Sequence, residues 1–568
     1  MRRHALAGLI GVVVFLYALP ANTETVLTKI DRLRAQELHV GGFVLDRDQT
    51  VSIEAIGFRE GSQSFDAQMS SAWILNAQTR EEVWNVVEGK SERRSRHLRE
   101  YTDEIELEKG RYEVYYATFP WGGYDNSWFS WRDHSFDYDD YEDAVDDFEI
   151  VVRGTGKSLS EREIEAYHDG LNKGAVVAHT GLTKNTYEKV GLTLNRDMDL
   201  QIYAIGELKK DEFYDCSWII DTKTREKVWE FDYWESEHAG GSKKNRVFKG
   251  TVSLPKGEYA VFVATDNTHD FGKWNSAPPN DPFFWGVTIQ TAEPSMGKYA
   301  RVHEYDDLPD RDVIVDLTGL GDSDFQREGF SLSRKAEVRI YAIGEGGRRE
   351  MYDYSRIVDA DSREVVWEMD ARETDHAGGA SKNRLFDGVV ELDKGNYLVY
   401  AVTDGSHSSS KWNDSPPHDQ EHWGVMILGV NNSNKYASAY DETKDKSILV
   451  RLTEMGNDAY EKERFELKKT TKVSIYALGE GSSGRMYDYA WIEDADTDEV
   501  VWEMSYRRTN HAGGAKKNRV IDDVIELDAG KYVVYYESDG SHSFGRWNAS
   551  PPADGFNWGV TIKLSDAR

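Results

Sequence analysis

The chain repeats itself, and that repetition limits what it can fold into more than any other feature. From Val473 to Ile562 it carries, in order, Tyr-Ala-Leu-Gly-Glu, Asp-Tyr-Ala-Trp-Ile, Val-Val-Trp-Glu-Met, His-Ala-Gly-Gly, Lys-Asn-Arg, Gly-Lys-Tyr-Val-Val-Tyr, Trp-Asn, Pro-Pro and Trp-Gly-Val-Thr-Ile. The segments from Leu200 and from Val338 give the same order of landmarks, and a worn version begins near Val51. Trp84, Trp229, Trp367 and Trp502 recur about 140 residues apart, too long for a solenoid unit and right for a small domain. The 568 residues therefore read as four tandem domains.

Each later copy yields eight strand-like runs and no helix, in the fourth at 448–452, 464–467, 472–478, 489–493, 499–504, 520–527, 532–537 and 558–563. Short alternating runs between Gly and Asp turns predict an all-β chain of four tandem eight-stranded antiparallel β-sandwiches, jelly-roll-like, joined by short linkers. The copies span 25–152, 175–290, 313–428 and 447–564. Between the first two, 153–174 reads as a linker in which Ser160-Glu-Arg-Glu163 has the spacing of a capping box, which predicts a short helix to about Tyr167. Copy 1 carries an insert rich in aromatics and acids between Phe119 and Asp147, and the joints 291–312 and 429–446 are polar.

Ahead of copy 1, Arg2 and Arg3 precede an apolar run over 5–19 and the Pro20-Ala21 pair, the pattern of a signal peptide over 1–21. An uncleaved anchor is the alternative, although the run is short for a spanning helix. No later stretch is long and apolar enough to span, so the expected mature chain is exported: periplasmic, at the cell surface or extracellular. Cys216 is the only cysteine, so no disulfide can form within the chain, and it is expected to be packed and inert. The formal net charge of −32, with lysine and arginine spread rather than blocked, excludes nucleic acid as a partner because phosphates need a basic footprint.

The connections are unequal. If successive strands run antiparallel, the three long loops of a copy emerge at one pole and the short turns at the other. That pole then gathers Glu480, Asp488, His511, Lys517, Asn518, Arg519, Asp539, His542, Trp547 and Asn548 in copy 4. In copy 2 the set is Glu207, Asp215, His238, Lys244, Asn245, Arg246, Asp266, His269, Trp274 and Asn275, and in copy 3 it is Glu345, Asp353, His376, Lys382, Asn383, Arg384, Asp404, His407, Trp412 and Asn413. Copy 1 keeps Arg99 but has Ser70 in the Asp position and lacks the His-Ala-Gly-Gly and Trp-Asn…Pro-Pro stretches. A sandwich core does not need these residues.

Three readings of the rim stand side by side. It locks long loops, with Asp–Arg ion pairs, His and Asn bonded to loop carbonyls, and Trp with Pro-Pro as a satellite core. Alternatively it is a ligand site, with Gly-Gly as a concavity of backbone N–H groups and Trp beside polar groups as a platform for a sugar ring. Or the histidines and aspartates hold a metal, although they lack diagnostic spacing and no metal is expected. Asp494, Asp496 and Asp498 imitate a calcium loop but lack its glycine and glutamate, and read as a hairpin turn. No nucleophile elbow or phosphate loop occurs, so no enzyme is expected.

The order Phe465-Glu-Leu, Val473-Ser-Ile-Tyr, Asp488-Tyr-Ala-Trp-Ile and Leu527-Asp-Ala-Gly-Lys-Tyr-Val-Val-Tyr resembles the bacterial pre-peptidase C-terminal β-sandwich. That resemblance implies a jelly roll with a Gly-x-Tyr turn before the penultimate strand, used as an accessory or substrate-binding module, and no catalytic residues. The expectation is an exported, non-catalytic binding or scaffold protein, without cofactor, whose rims meet a surface polysaccharide or an envelope protein. The alternatives are a purely structural envelope protein with rims packed on neighbouring domains, and a metal-binding accessory module of a secreted hydrolase system.

Overall fold

In a computed structural model of the chain, residues 25–58, 70–86, 90–95, 98–118, 144–210, 212–305, 312–409 and 411–565 are described. The expected signal peptide and nearly all of the insert after Phe119 lie outside them. Two compact units, residues 1–306 and 307–568, each hold two sandwiches.

Copy 4 shows why these residues make these strands. Along Thr471–Ser482, Val473, Ile475 and Ala477 are fully buried while Ser474 and Tyr476 face the other way, the period of two that a sheet imposes. One sheet runs Ile448–Leu452, Gly559–Leu564, Thr471–Ser482, Asn518–Leu527, and the facing one runs Tyr460–Leu467, Gly530–Glu537, Tyr489–Asp494, Val500–Glu503, antiparallel throughout. Counted along the chain, the orders are 1-8-3-6 and 2-7-4-5, those of a jelly roll. All eight expected strands are present, with two-residue strands at Arg485–Met486 and Asn510–His511 besides. The core between the sheets holds Phe465, Ile492, Trp502, Val534 and Ile562.

The Gly-x-Tyr turn has a simple cause. In each copy the tyrosine hydroxyl donates to the carbonyl four residues back: Tyr112 to Glu108, Tyr259 to Pro255, Tyr397 to Asp393 and Tyr532 to Asp528. At the other short turn Asp494 accepts from the amides of Asp496 and Thr497, so this acidic stretch is a hairpin turn, as its sequence suggested.

Three expectations need correction. The helix capped by Ser160 and Glu163 runs Glu161–Gly174, well past Tyr167, because Leu171 packs against the core of copy 2. The second strand of copy 4 starts at Tyr460 rather than Arg464; its first residues are exposed and polar, which hid them. The polar linkers also contain strands. Lys157–Leu159, Ala300–His303 and Ala437–Ala439 each pair with the second long strand of the copy before them.

Within each unit one sandwich docks on the other. The outer face of copy 1 presents stacked Trp73 and Tyr115 to Phe283 of copy 2, and Trp73 Nε1 donates to the Asn280 carbonyl at 2.6 Å. Arg80 lies over the Phe284 ring and is paired with Asp281 of copy 2 and with Glu113. In the second unit Arg363 repeats this, paired with Asp554 of copy 4 and with Glu442, while Phe325 stacks on Phe556 at 4.8 Å. Arg80 and Arg363 hold φ of 57° and 63°. Arg225 and Asp498 hold the same left-handed position, each with its amide bonded to the carbonyl four residues back, so the hairpin turn sets this conformation and the ion pairs use the direction it gives the side chain.

Candidate functional site: the loop pole of copies 2 to 4

The long loops do gather at one pole. His511 sits on Asn510–His511, which pairs with the first residues of Asn518–Leu527, and His542 from the next long loop bonds Asn518 itself. Inside the pole the residues sort into three groups.

The first is a buried lock. His542 is fully buried, and its Nε2 meets Asn518 Oδ1 at 2.6 Å. Asn518 Nδ2 donates to the Gly513 carbonyl and to the Ser550 carbonyl, tying the His-Ala-Gly-Gly loop to the Pro-Pro loop. The His542 ring sits edge-on between Trp547 and Trp558, at 5.1 and 5.8 Å. His407 with Asn383, Trp412 and Trp423, and His269 with Asn245, Trp274 and Trp285, repeat this arrangement. Burial and the nearby lysine charge push the His407 and His542 imidazoles down to about 4, and they lower that of His269 as well.

The second is an outer arm. His511, exposed, meets the Ala515 carbonyl through Nε2, and His376 and His238 do the same with Ala380 and Ser242. Arg519 donates to the Thr509 hydroxyl and carbonyl and covers the Tyr506 ring; Arg384 holds Thr374 in the same way, and Arg246 holds Ser236. The expected Asp–Arg ion pair does not form. Each arginine satisfies the carbonyl of its own loop instead.

The third is a carboxylate triad. Glu480, Asp488 and Asp539 bring ligand oxygens within 4.8 Å of one another, as do Glu345, Asp353 and Asp404. Asp488 accepts from the Asp539 amide at 2.9 Å through Oδ1 and from Trp558 Nε1 at 3.2 Å through Oδ2; Asp353 does the same with Asp404 and Trp423. One cation faces the triad, Lys517 at 3.1 Å from Glu480 Oε1, with Lys382 on Glu345 in copy 3. The other oxygens, Glu480 Oε2 and Glu345 Oε2, are buried without a hydrogen-bond partner. Burial, with the charges of the neighbouring carboxylates behind it, pushes Asp488 and Asp353 up to about 8, against the loop amide that lowers them.

In copy 2 the corresponding residues are Glu207, Asp215 and Asp266, but Lys244 caps Glu207 Oε2 at 2.7 Å. Asp215 Oδ2 and Trp285 Nε1 lack the mutual bond that copies 3 and 4 make. Copy 1 has Phe58 and Ser70 at the first two positions.

The Gly-Gly pair is no open concavity. Gly513 and Gly514 have φ of 83° and 62°, and a Cβ on Gly514 would fall 2.0 Å from the Pro551 carbonyl oxygen. Glycine is needed there so that the Pro-Pro loop can seat. Two partners escaped the sequence reading: Trp558, visible only as a core landmark, and the pair Asp281 and Asp554, which follow Pro-Pro and anchor the docking arginines.

What fold and pole together define is a tandem jelly-roll protein with loop-bearing poles. No family model and no curated protein matches this chain. Among solved structures it is similar to the CUB1-EGF-CUB2 domains of rat MASP-1, with 12% identity, a TM-score of 0.14, and 44% of this chain and 94% of that chain covered. It is also similar to the CBM32-1, CBM32-2 and M60 catalytic domains from Clostridium perfringens ZmpB, with 7% identity, a TM-score of 0.13, and 67% of this chain and 51% of that chain covered. The β-sandwich assignment rests on the strand order above.

Proposed function

We propose that the chain is an exported, non-catalytic array of binding modules in which the poles of copies 3 and 4 each take a calcium ion. The observation that carries this reading is the triad itself: three carboxylates converge in two separate copies, and in each the glutamate buries an oxygen with no partner. Oxygen-only donors in an irregular loop suit calcium, which accepts six to eight oxygens in flexible geometry. Glu480 and Asp539 supply oxygens, and Asp488 fixes the loop that carries Asp539.

Such an ion would tie together strand ends and loops that the buried lock already holds, leaving the exposed outer arm with His511 and His376 at the surface. The array meets its ligand there, a surface polysaccharide or an envelope protein. This matches the accessory, substrate-binding use implied by the pre-peptidase C-terminal resemblance. Against catalysis stands the use of the buried imidazole: its Nε2 is engaged by Asn518 rather than by a nucleophile.

The test is thermal unfolding of the full chain in calcium and in chelator. Calcium raises the midpoint, and the shift disappears in the Glu345→Gln/Glu480→Gln variant, which leaves the His–Asn–Trp lock untouched. No shift at millimolar calcium removes the calcium reading and leaves the poles as loop locks alone.

A further inference from the structure

The outer face of copy 4 differs from those of copies 1 and 3 in being bare. In copies 1 and 3 this face is a protein interface, with aromatic side chains covered by Phe283 or Phe556 and an arginine paired across to Asp281 or Asp554. Copy 4 keeps the aromatics. Trp491 and Tyr535 stack at 4.9 Å with planes 5° apart, flanked by Tyr489 and by Tyr460, which is 58% exposed. Among the described residues no ring of another copy covers them: Lys462 Nζ lies over Tyr535 at 5.7 Å, Trp491 Nε1 donates to Glu493 at 2.9 Å, and the Tyr489 hydroxyl to Glu537 at 3.5 Å.

The arginine, however, is gone. Asp498 occupies its position, in the same left-handed conformation with φ of 58°. An aspartate there repels the acidic loop that copies 2 and 4 insert into their neighbours, so this face is not built for another head-to-tail docking of that kind. Nor is its edge suited to an added strand: Tyr460–Leu467 pairs on one side only, but it carries the exposed charges Glu461, Lys462, Glu463 and Arg464, and a charged edge strand disfavours pairing.

The cross-strand register shows what does fit. Lys462 lies beside Tyr535, Tyr535 beside Trp491, and Trp491 beside Glu503, so one row across the face reads cation, ring, ring, anion. Such a row is its own complement. A two-fold axis in the plane of contact, parallel to the strands and passing between Tyr535 and Trp491, sets Lys462 of one chain over Glu503 of its mate, and Tyr535 over Trp491. An isologous interface requires this self-complementarity.

We propose that the occupant of this face is a second copy of the chain, in a closed two-fold dimer through the outer sheets of copy 4. The stacked rings supply a core of the kind found at protein interfaces, with charged residues at its rim. Closure matters, because a two-fold contact stops at the dimer whereas head-to-tail docking would grow filaments.

Sedimentation equilibrium of the full chain across the micromolar range tests this. The expected result is a monomer–dimer equilibrium that Trp491→Ala weakens by about tenfold or more. Lys462→Glu alone and Glu503→Lys alone also weaken it, since each sets like charges opposite one another. The combined Lys462→Glu/Glu503→Lys chain, whose row is again self-complementary, recovers the dimer. All three positions lie on the outer face, so retention of the wild-type unfolding midpoint controls for folding. A monomer at every concentration overturns the proposal. So do a dimer indifferent to these substitutions, open-ended polymers, or a double swap as weak as the single ones.

Discussion

Copies 1 and 4 share a sandwich and are opposite in what they expose. Copy 1 has its outer face covered by its neighbour, and carries Phe58 and Ser70 where a triad would need carboxylates. Copy 4 has a bare outer face and a pole crowded with carboxylates, a buried histidine and paired tryptophans. The difference shows that the jelly roll is closed by its core alone, and that face and pole vary independently upon it. The loop after Pro-Pro links the two: it seats on Gly-Gly in its own copy, and in copies 2 and 4 its aspartate reaches the preceding sandwich.

The largest effect should come from the covered face. Arg80→Met leaves Glu113 and Asp281 buried without their cation and should cost about 3–5 kcal/mol of the first unit's stability, measured by urea unfolding. At the matching position of copy 4, Asp498→Asn, which tolerates the same left-handed backbone, should change stability by no more than about 0.5 kcal/mol. Equal effects would end the contrast between the two faces.

Next comes the lock, which copy 1 lacks. Asn518→Ala strands two loop carbonyls and the His542 ring nitrogen, and should cost about 2–4 kcal/mol, seen as early exchange of the loop amides at the pole of copy 4.

A pH dependence follows from the same buried rings. His542 and His407 titrate near 4 in the folded chain against 6.5 when free, so the folded state favours the neutral ring. Their contribution is complete above about pH 6.5 and is lost as pH falls towards 4, by about 2–3 kcal/mol per pole. Asp488 and Asp353, raised to about 8, act in the opposite direction over the same range, so the check is the difference in unfolding midpoint between the wild type and His542→Gln from pH 4 to 7, in which the share of copy 4's histidine should stand out. A smaller effect is expected at the hairpin turn, where Asp494→Ala removes two side-chain bonds to exposed amides and should cost about 1 kcal/mol.

Much of this was legible in the sequence, for physical reasons. The alternation of Val473, Ile475 and Ala477 and the Gly-x-Tyr turns are local signals, so strands and sandwich class could be read from them. The gathering of His511 and His542 at one pole followed from chain direction alone. What stayed hidden depends on partners distant in the chain. Arg80 and Arg363 carry no local signal, because their partners Asp281 and Asp554 lie about 200 residues further on. Asp488 looked like a partner for arginine, whereas it is committed to the Asp539 amide and Trp558. The strand Ala300–His303 was lost in a polar linker because an edge strand has only one neighbour to satisfy.

Calcium at the carboxylates of copies 3 and 4, as proposed, is decided by stoichiometry. Isothermal titration of the chelator-stripped full chain should find two sites, one remaining after Glu480→Gln and none after Glu345→Gln/Glu480→Gln. No binding at millimolar calcium, or two sites surviving in the double variant, would contradict the account.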